Sequence, residues 1–175
     1  MGGDSVQRVR VKAAMSALTL MAATGAVWLG LATPAQAATC SWYSGQTGTS
    51  SNCDNKDPDV LACGSDGQTI YSTRLKRSYD GALNGPLLEL RYSPSCRTVW
   101  GRLTGAWGTD YDQAGCTVTV HRNSDGQEYS RKPAFGATNA TVWSNTVYDA
   151  GVTAYVKAYC DTGPGYQYNG QTASY

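Results

Sequence analysis

The chain has 175 residues, of which 14 are basic, 13 are acidic and one is histidine. The first 37 residues hold three of the basic and one of the acidic side chains, so 11 basic and 12 acidic groups remain on a length suited to one domain. This near-neutral balance argues against a nucleic-acid partner, because proteins that bind phosphate backbones normally carry a strongly basic face.

Residues 1–37 have the organisation of a secretory signal peptide. A cationic start is followed by an apolar run from Ala13 to about Ala32, and Ala35 and Ala37 frame a cleavage site. The run approaches the ~20 residues of a membrane span, but serine, threonine and glycine interrupt it and Pro34 follows it. We therefore expect cleavage, a secreted extracellular protein, and no membrane attachment of the mature form.

The mature chain is predicted to start with an irregular arm, residues 38–56, followed by one short helix. The arm is rich in Ser, Thr, Gly and Asn and has no hydrophobic period. The helix is expected from Asp57 to Gly64, because an acidic N-cap, a proline at the first helical position and a terminal glycine follow the usual order of helix signals.

Further along, runs rich in Val, Thr, Tyr and Trp alternate with turn residues, which is typical of antiparallel β-structure. We assign residues 57–162 to a β-rich domain, an antiparallel β-sandwich or small barrel stapled by disulfides. Residues 163–175 have no apolar period and are predicted to be a flexible tail. The expected strands are residues 68–76, 87–93, 97–104, 116–122, 127–132, 141–148 and 152–160.

Six cysteines follow the leader, an even number that predicts three disulfides in an exported protein. Cys116 and Cys160 lie on the apolar faces of two alternating strands, so we expect a disulfide between them. For the other four cysteines, we expect the pair Cys53–Cys63 around the helix and, by elimination, the pair Cys40–Cys96.

The sequence offers no recognisable catalytic constellation. His121 is the single histidine and lies on the outward side of a predicted strand, which disfavours a hydrolase triad or an imidazole metal site. The sequence has no Cys-x-x-Cys pair, the spacing that would indicate a zinc site. We therefore expect a protein that is not an enzyme and that uses no metal or cofactor. No pair suited to glycoside hydrolysis stands out among the carboxylates considered, which are Glu89, Asp110, Asp112, Glu128 and Asp149.

Aromatic side chains are the stronger lead, with five tryptophans and twelve tyrosines but a single phenylalanine. Amphipathic rings of this kind are enriched in binding surfaces. Trp100 and Trp143 lie in predicted strands and are expected in the core, whereas the tail tyrosines, such as Tyr166, are expected to be exposed. The candidate binding residues lie in loops and in the arm: Trp42, Tyr43, Trp107 and Tyr111.

Two blocks of sequence carry a family resemblance. The first runs from Cys53 to Pro58 and is followed by Cys63, Asp66 and Thr69; the second is Leu-Arg-Tyr-Ser-Pro-Ser-Cys-Arg-Thr-Val-Trp at residues 90–100. Over about residues 40–122 the chain resembles a family of small secreted actinobacterial proteins of unknown function, which implies an exported domain and carries over no catalytic residue. In size and export it is also similar to the small adaptor subunits of umbrella toxin particles, which join a lectin-bearing subunit to a toxin stalk.

We expect a secreted, non-catalytic protein-binding or adaptor module, and the second resemblance suggests a component of an extracellular interbacterial toxin complex. The expected partner is another secreted protein. The arm with Trp42 and Tyr43 would supply part of the contact, because a segment of its composition gains order on binding. Two alternatives stay open: a carbohydrate or cell-wall binding module with a glycan as ligand, and a protease inhibitor that presents a disulfide-braced loop.

Overall fold

The computed structural model describes residues 38–43, 47–109, 114–163 and 165–175. The predicted signal peptide lies outside these residues. Within them the protein is mainly β, as the sequence predicts, with ten strands in two antiparallel sheets. In the described part of the chain, no helix has the length and apolar character needed to cross a membrane.

The first sheet is formed, in spatial order, by β1 (Gln68–Arg74), β3 (Leu87–Ser93), β4 (Thr98–Ala106) and β7 (Ala140–Trp143). A fifth strand, β8 (Val147–Tyr148), pairs with the start of β4. The predicted strand 141–148 is therefore two strands. It breaks at Ser144, whose hydroxyl accepts a hydrogen bond from the N–H of Gly101 at 2.8 Å.

The second sheet is formed, in spatial order, by β2 (Lys76–Arg77), β10 (Gln167–Gln171), β9 (Ala154–Asp161), β5 (Gly115–Arg122) and β6 (Glu128–Arg131). Both sheets are open and pack face to face without closing into a barrel. Of the two expected architectures, the sandwich is the correct one.

The core lies between the two sheets and is built from the inward side chains of alternating strands. Gly101 on β4 allows the close approach, since a Cβ there would lie 2.6 Å from Val118 on β5. Each fully buried Leu or Val side chain contributes roughly 1.5–3 kcal/mol to this core. The central inward residues are Leu88, Leu90, Val99, Leu103, Val118, Val120 and Val156.

The predicted flexible tail, residues 163–175, contains a strand instead. β10 pairs along its length with β9, and Tyr168 and Asn169 also pair with β2. Beyond β10, Thr172 is buried and Tyr175 exchanges backbone hydrogen bonds with Ala154 at 2.9 and 3.0 Å. The tail is ordered by backbone hydrogen bonds. The sequence gave no sign of this strand, because backbone pairing leaves no apolar period in the side chains.

The short helix predicted at residues 57–64 differs in type and position. The chain from Pro58 forms hydrogen-bonded turns, and the regular element is a 3₁₀ helix at Cys63–Asp66. Ala62, directly before it, has a left-handed backbone with φ of 55°, which interrupts helical geometry. Asp57 does accept a hydrogen bond from the N–H of Asp59, as expected of a capping residue.

The six cysteines form three disulfides, as predicted, and the pair Cys116–Cys160 is confirmed. The other two predicted pairs are wrong, because the structure joins Cys40 to Cys53 and Cys63 to Cys96. The sulfur atoms of Cys40, Cys63 and Cys96 lie within 4.8 Å of one another. The prediction therefore found the correct group of four cysteines but exchanged the partners.

The arm is held to the sandwich through Arg122, whose side chain is fully buried. The guanidinium forms ion pairs with Asp54 of the arm at 2.8 Å and with Asp125 of the β5–β6 turn at 2.7 Å. It also donates to the carbonyl oxygens of Thr49 and Tyr148. Burial lowers the pKa of Arg122, but the hydrogen bonds to the two carboxylates outweigh it and raise the pKa above its ordinary range.

The motif at residues 90–100 forms the end of β3, the following turn and the start of β4. Asp66 organises this turn, since its carboxylate accepts hydrogen bonds from the Ser93 hydroxyl at 2.5 Å and the Ser95 N–H at 2.9 Å. Trp100 is buried beside the Cys63–Cys96 disulfide, as expected of a core residue. The prediction for Trp143 is wrong, because its side chain is exposed on the outer side of the first sheet.

Candidate binding face

Trp42, a predicted binding residue, is half-buried against its own domain. Its indole N–H donates to the carbonyl oxygen of Ala150 at 3.1 Å, and its ring meets the Tyr148 ring edge-on at 4.8 Å. The Arg122 guanidinium lies 5.0 Å from the centre of the indole ring. These contacts make Trp42 an anchor of the arm.

The other predicted binding residues fall into three situations. Tyr43, next to the anchor, is 52% exposed. Trp107 is half-buried, because its indole N–H donates to the carbonyl oxygen of Asp161 at 2.9 Å and its ring packs edge-on against Tyr168. Tyr111 lies outside the described residues. Among the described residues, the structure does not bring these aromatic rings together into one cluster.

The outer face of the second sheet carries a different polar and aromatic surface, which we call the tyrosine face. Successive strand residues point to opposite sides, so each strand contributes every second residue. Register places Thr117, Tyr159 and Asn169 in one row across β5, β9 and β10, and Thr119, Lys157 and Gln171 in the next. The tyrosine face comprises these residues and two further residues at the adjacent strand ends: Thr117, Thr119, Lys157, Tyr159, Asp161, Gln167, Asn169 and Gln171.

Tyr159 is the exposed aromatic residue of the tyrosine face, with 40% of its surface open to solvent. Its hydroxyl donates to the Asp161 carboxylate at 3.0 Å, which fixes the position of the ring. Burial and this hydrogen bond raise the pKa of the Tyr159 phenol. The ring is thus held in place on the sheet before any ligand arrives.

Two hollows flank Tyr159 and share Tyr159 and Thr117 as lining residues. The first has a volume of about 400 Å³ and the second about 320 Å³. The first is lined by hydroxyl, amide and amine groups, and the second adds the carboxylate of Asp161 and the amide of Gln167. The hollows therefore offer both hydrogen-bond donors and acceptors beside an aromatic ring.

The carboxylates of this side of the sheet are paired and ionised. Glu128 on β6 accepts hydrogen bonds from Lys157 at 2.5 Å and from the His121 ring at 2.8 Å, and chiefly the contact with Lys157 lowers its pKa. The N–H of Gly163 and the Tyr159 hydroxyl lower the pKa of Asp161. His121 lies on the outward side of β5, as predicted, with its ring stacked on Tyr155.

The remaining carboxylates considered from the sequence do not join this face. Glu89 pairs with Arg102 on the outer side of the first sheet, and this hydrogen bond lowers the pKa of Glu89. Asp149 is buried in the loop before β9, and its pKa is raised to about 7 by burial. Asp110 and Asp112 lie outside the described residues.

Comparison with protein families decides the relationship of this chain. The family model described as "Protein of unknown function (DUF2690)" matches residues 51–157, more than half of the chain. The chain belongs to the DUF2690 family. The match includes the Asp66 turn and Arg122, but it ends two residues before Tyr159, so DUF2690 membership assigns no role to that ring. Neither curated proteins nor solved structures give a match.

In the sequence, Tyr155, Lys157 and Tyr159 alternate with the apolar residues of the last predicted strand, but this pattern alone did not select them for binding. A single strand gives no sign of which neighbours complete its surface. Asn169 and Gln171 belong to β10, which was not predicted, and the amide-rich part of the face was therefore missed. The signal available in the sequence was the outward Tyr-x-Lys-x-Tyr alternation at 155–159.

Proposed function

We propose that this protein is a secreted, non-catalytic module that binds carbohydrate on the tyrosine face. The observation that carries the proposal is the fixed Tyr159 ring between two hollows lined by donors and acceptors. A sugar presents hydroxyl groups that both donate and accept, and flat apolar ring faces that can lie on an aromatic side chain. A ring already held by Asp161 loses little conformational entropy when a ligand binds.

The charged groups of the tyrosine face, Lys157 and Asp161, both have partners. Lys157 is paired with Glu128, and Asp161 is satisfied by the Gly163 N–H and the Tyr159 hydroxyl. The mature chain as predicted has nearly equal numbers of acidic and basic groups. Lys132 lines the second hollow and register places Lys76 beside Asn169, so both neutral and weakly acidic sugars fit the charges of this side of the sheet.

The state of the carboxylates supports binding without hydrolysis. Glycosidases use one protonated carboxyl as general acid and a second carboxylate on the other side of the scissile bond. On this side of the sheet, the pKa values of Glu128 and Asp161 are both lowered. Asp149, whose pKa is raised, precedes β9, whereas Tyr159 lies near the end of β9. Asp149 lines neither hollow.

Export is part of the proposal. The apolar leader with its Ala-x-Ala site predicts secretion, and the three disulfides are consistent with an extracellular protein. In that location the carbohydrate ligand would be a polysaccharide of a cell wall or of the surroundings of the cell.

We expect Tyr159→Ala to weaken binding by about tenfold or more, because the ring is the apolar floor between the two hollows. Binding is measured on a panel of cell-wall and plant polysaccharides, followed by titration with the polymer that binds. Tyr71→Ala is the matched control, since Tyr71 is also a strand residue with 40% exposure but lies on the first sheet. Equal losses in both variants, or no binding of wild type to any polymer, would contradict the proposal.

A protein-binding or adaptor role is the second candidate, and the braced arm favours it. Cys40–Cys53 and the buried Arg122 network hold the arm, while Tyr43 stays 52% exposed beside the anchored Trp42. A rigid aromatic contact costs little entropy on association. Membership of an extracellular toxin complex is the most specific form of this candidate, and it rests on the resemblance in size and export.

We expect Tyr43→Ala to abolish recovery of a specific secreted partner if the arm provides the contact. The tagged protein is incubated with native culture supernatant, and proteins retained by wild type are identified by mass spectrometry. Trp143→Ala is the control, because Trp143 is 44% exposed on the first sheet. A partner retained equally by wild type and Tyr43→Ala would show that the arm does not provide the contact.

A further inference from the structure

A third hollow lies beyond the tyrosine face, at the edge formed by β2 and β10. It has a volume of about 280 Å³ and is lined by Ser78, Tyr79, Gly163, Gly165, Tyr166 and Gln167. Gln167 also lines the second hollow, which in turn shares Tyr159 with the first. The three hollows therefore form a series in which each hollow shares a lining residue with the next.

The third hollow has its own aromatic residues. Tyr79 is 71% exposed and Tyr166 is 47% exposed, and their ring centres are 5.8 Å apart. The Arg77 guanidinium lies 5.0 Å from one ring centre and 5.4 Å from the other, and Asp80 holds the same guanidinium in an ion pair. The two rings form one contiguous exposed aromatic patch, a feature that marks binding sites more often than isolated exposed rings do.

Backbone and side-chain hydrogen bonds fix the third hollow relative to the tyrosine face. Ser78 donates its N–H to the carbonyl oxygen of Gln167 at 2.8 Å, and its hydroxyl accepts from the Asn169 amide at 3.0 Å. The Gln167 amide donates to the Asp161 carboxylate, which also holds Tyr159. These hydrogen bonds connect the third hollow to the edge of the tyrosine face. The two rings lie around that edge, because register places Arg77, which contacts both rings, beside Tyr168 on the core side of the sheet.

We infer that the ligand of the tyrosine face is an extended polysaccharide chain that runs from Tyr159 past Gln167 and around the β2–β10 edge to the Tyr79–Tyr166 pair. This inference rests on the proposed carbohydrate-binding function. A chain that spans both aromatic positions gains contacts at the second without a new loss of translational freedom, so affinity rises with chain length. All three hollows are open to solvent.

The lining groups narrow the chemistry of the chain. Gln167, Asn169 and Gln171 supply three amides, each of which can donate and accept. Hydroxyl and N-acetyl groups of an amino-sugar polymer match these amides. β-1,4-linked N-acetylglucosamine oligomers are therefore the probe of choice, and β-1,4-linked glucose oligomers of the same lengths are the comparison.

The test is titration calorimetry of wild type and of the double variant Tyr79→Ala, Tyr166→Ala with oligomers of two to eight sugars. For wild type, affinity is expected to rise by about tenfold or more with length. The double variant is expected to bind the shortest oligomer with the same affinity as wild type. Its affinity for the longest oligomer is expected to be no higher than that value. Tyr71→Ala, on the other sheet, is expected to behave as wild type.

The outcomes separate the inference from the function on which it rests. An affinity of wild type independent of oligomer length, with Tyr159→Ala still reducing binding, would overturn the extended site and leave carbohydrate binding in place. Equal loss of short and long oligomers in the double variant would also overturn it. Binding of neither oligomer series, together with no binding on the polysaccharide panel, would overturn the inference and the proposed function together.

Discussion

Replacing Arg122 by leucine is expected to lower the free energy of unfolding by about 3–5 kcal/mol. The substitution removes the counter-charge of Asp54 and Asp125, whose side chains are only 8% and 11% exposed. It also removes the donor for the carbonyl oxygens of Thr49 and Tyr148. The loss is measured by urea denaturation at neutral pH.

Two further variants give this prediction its controls. Arg77→Leu removes an ion pair with Asp80 that is partly open to solvent, and we expect little change in the urea midpoint. The triple variant Arg122→Leu, Asp54→Asn, Asp125→Asn is expected to recover part of the loss, because neutral amides are cheaper to leave buried than carboxylates. An Arg122→Leu protein as stable as Arg77→Leu would show that the buried network does not stabilise the fold.

The same variant tests how the arm is attached. Thr49 and Asp54 both contact Arg122, and Trp42 lies against the guanidinium. If Arg122 is the main attachment, hydrogen exchange in Arg122→Leu should rise first in the arm and only later in the sheets. Cys40–Cys53 closes a loop within the arm itself and does not replace this attachment.

The alternation of apolar residues was sufficient to predict the central strands and one disulfide. The apolar residues of β5 and β9 alternate and face one side of the sheet, so Cys116 and Cys160 are expected to face the same core, and register places them opposite each other. The class of fold follows from the same signal. The other disulfides could not be derived, because the sulfur atoms of Cys40, Cys63 and Cys96 lie so close together that sequence spacing does not discriminate among partners.

The candidate site was harder to predict than the fold, for a physical reason. A binding face is assembled from residues that are adjacent across strands, and their sequence separation carries no record of that adjacency. Thr117, Tyr159 and Asn169 form one row of the sheet although they come from three strands. Conversely, Trp42 and Trp107 are residues of a type that is common in binding surfaces. In this structure, however, the indole N–H of each donates to a backbone carbonyl of the same chain.

Asp149→Asn is expected to stabilise the protein at pH 8 and to leave its stability at pH 4 almost unchanged. Asp149 is 7% exposed, and burial raises the pKa of its carboxyl from the ordinary 3.8 to about 7, against the opposing effects of its own N–H and of Arg97. The folded protein therefore keeps this proton up to about pH 7, whereas the unfolded chain releases it near pH 4. Asparagine has nearly the same shape and carries no charge to bury.

The direction in which the stability changes with pH follows from proton binding. Between about pH 4 and pH 7 the folded state holds a proton that the unfolded state has lost, so the contribution of Asp149 to stability falls as the pH rises. The pKa of Asp149 is about three higher in the folded protein than its ordinary value, which corresponds to on the order of 4 kcal/mol of stability. This contribution is fully lost above pH 7. Urea denaturation of both proteins from pH 4 to pH 8 measures it, and the difference between them removes the effects of other groups.

Tyr92 and Arg97 lie near Asp149, so the surroundings of its carboxyl include one phenol and one guanidinium. Arg97 is exposed, and its charge is therefore screened too strongly to compensate the buried carboxylate. Asp59→Asn removes the carboxylate of an exposed aspartate and is the matched control. A stability difference between wild type and Asp149→Asn that does not grow from pH 4 to pH 8 would mean that Asp149 is ionised in the folded protein at neutral pH.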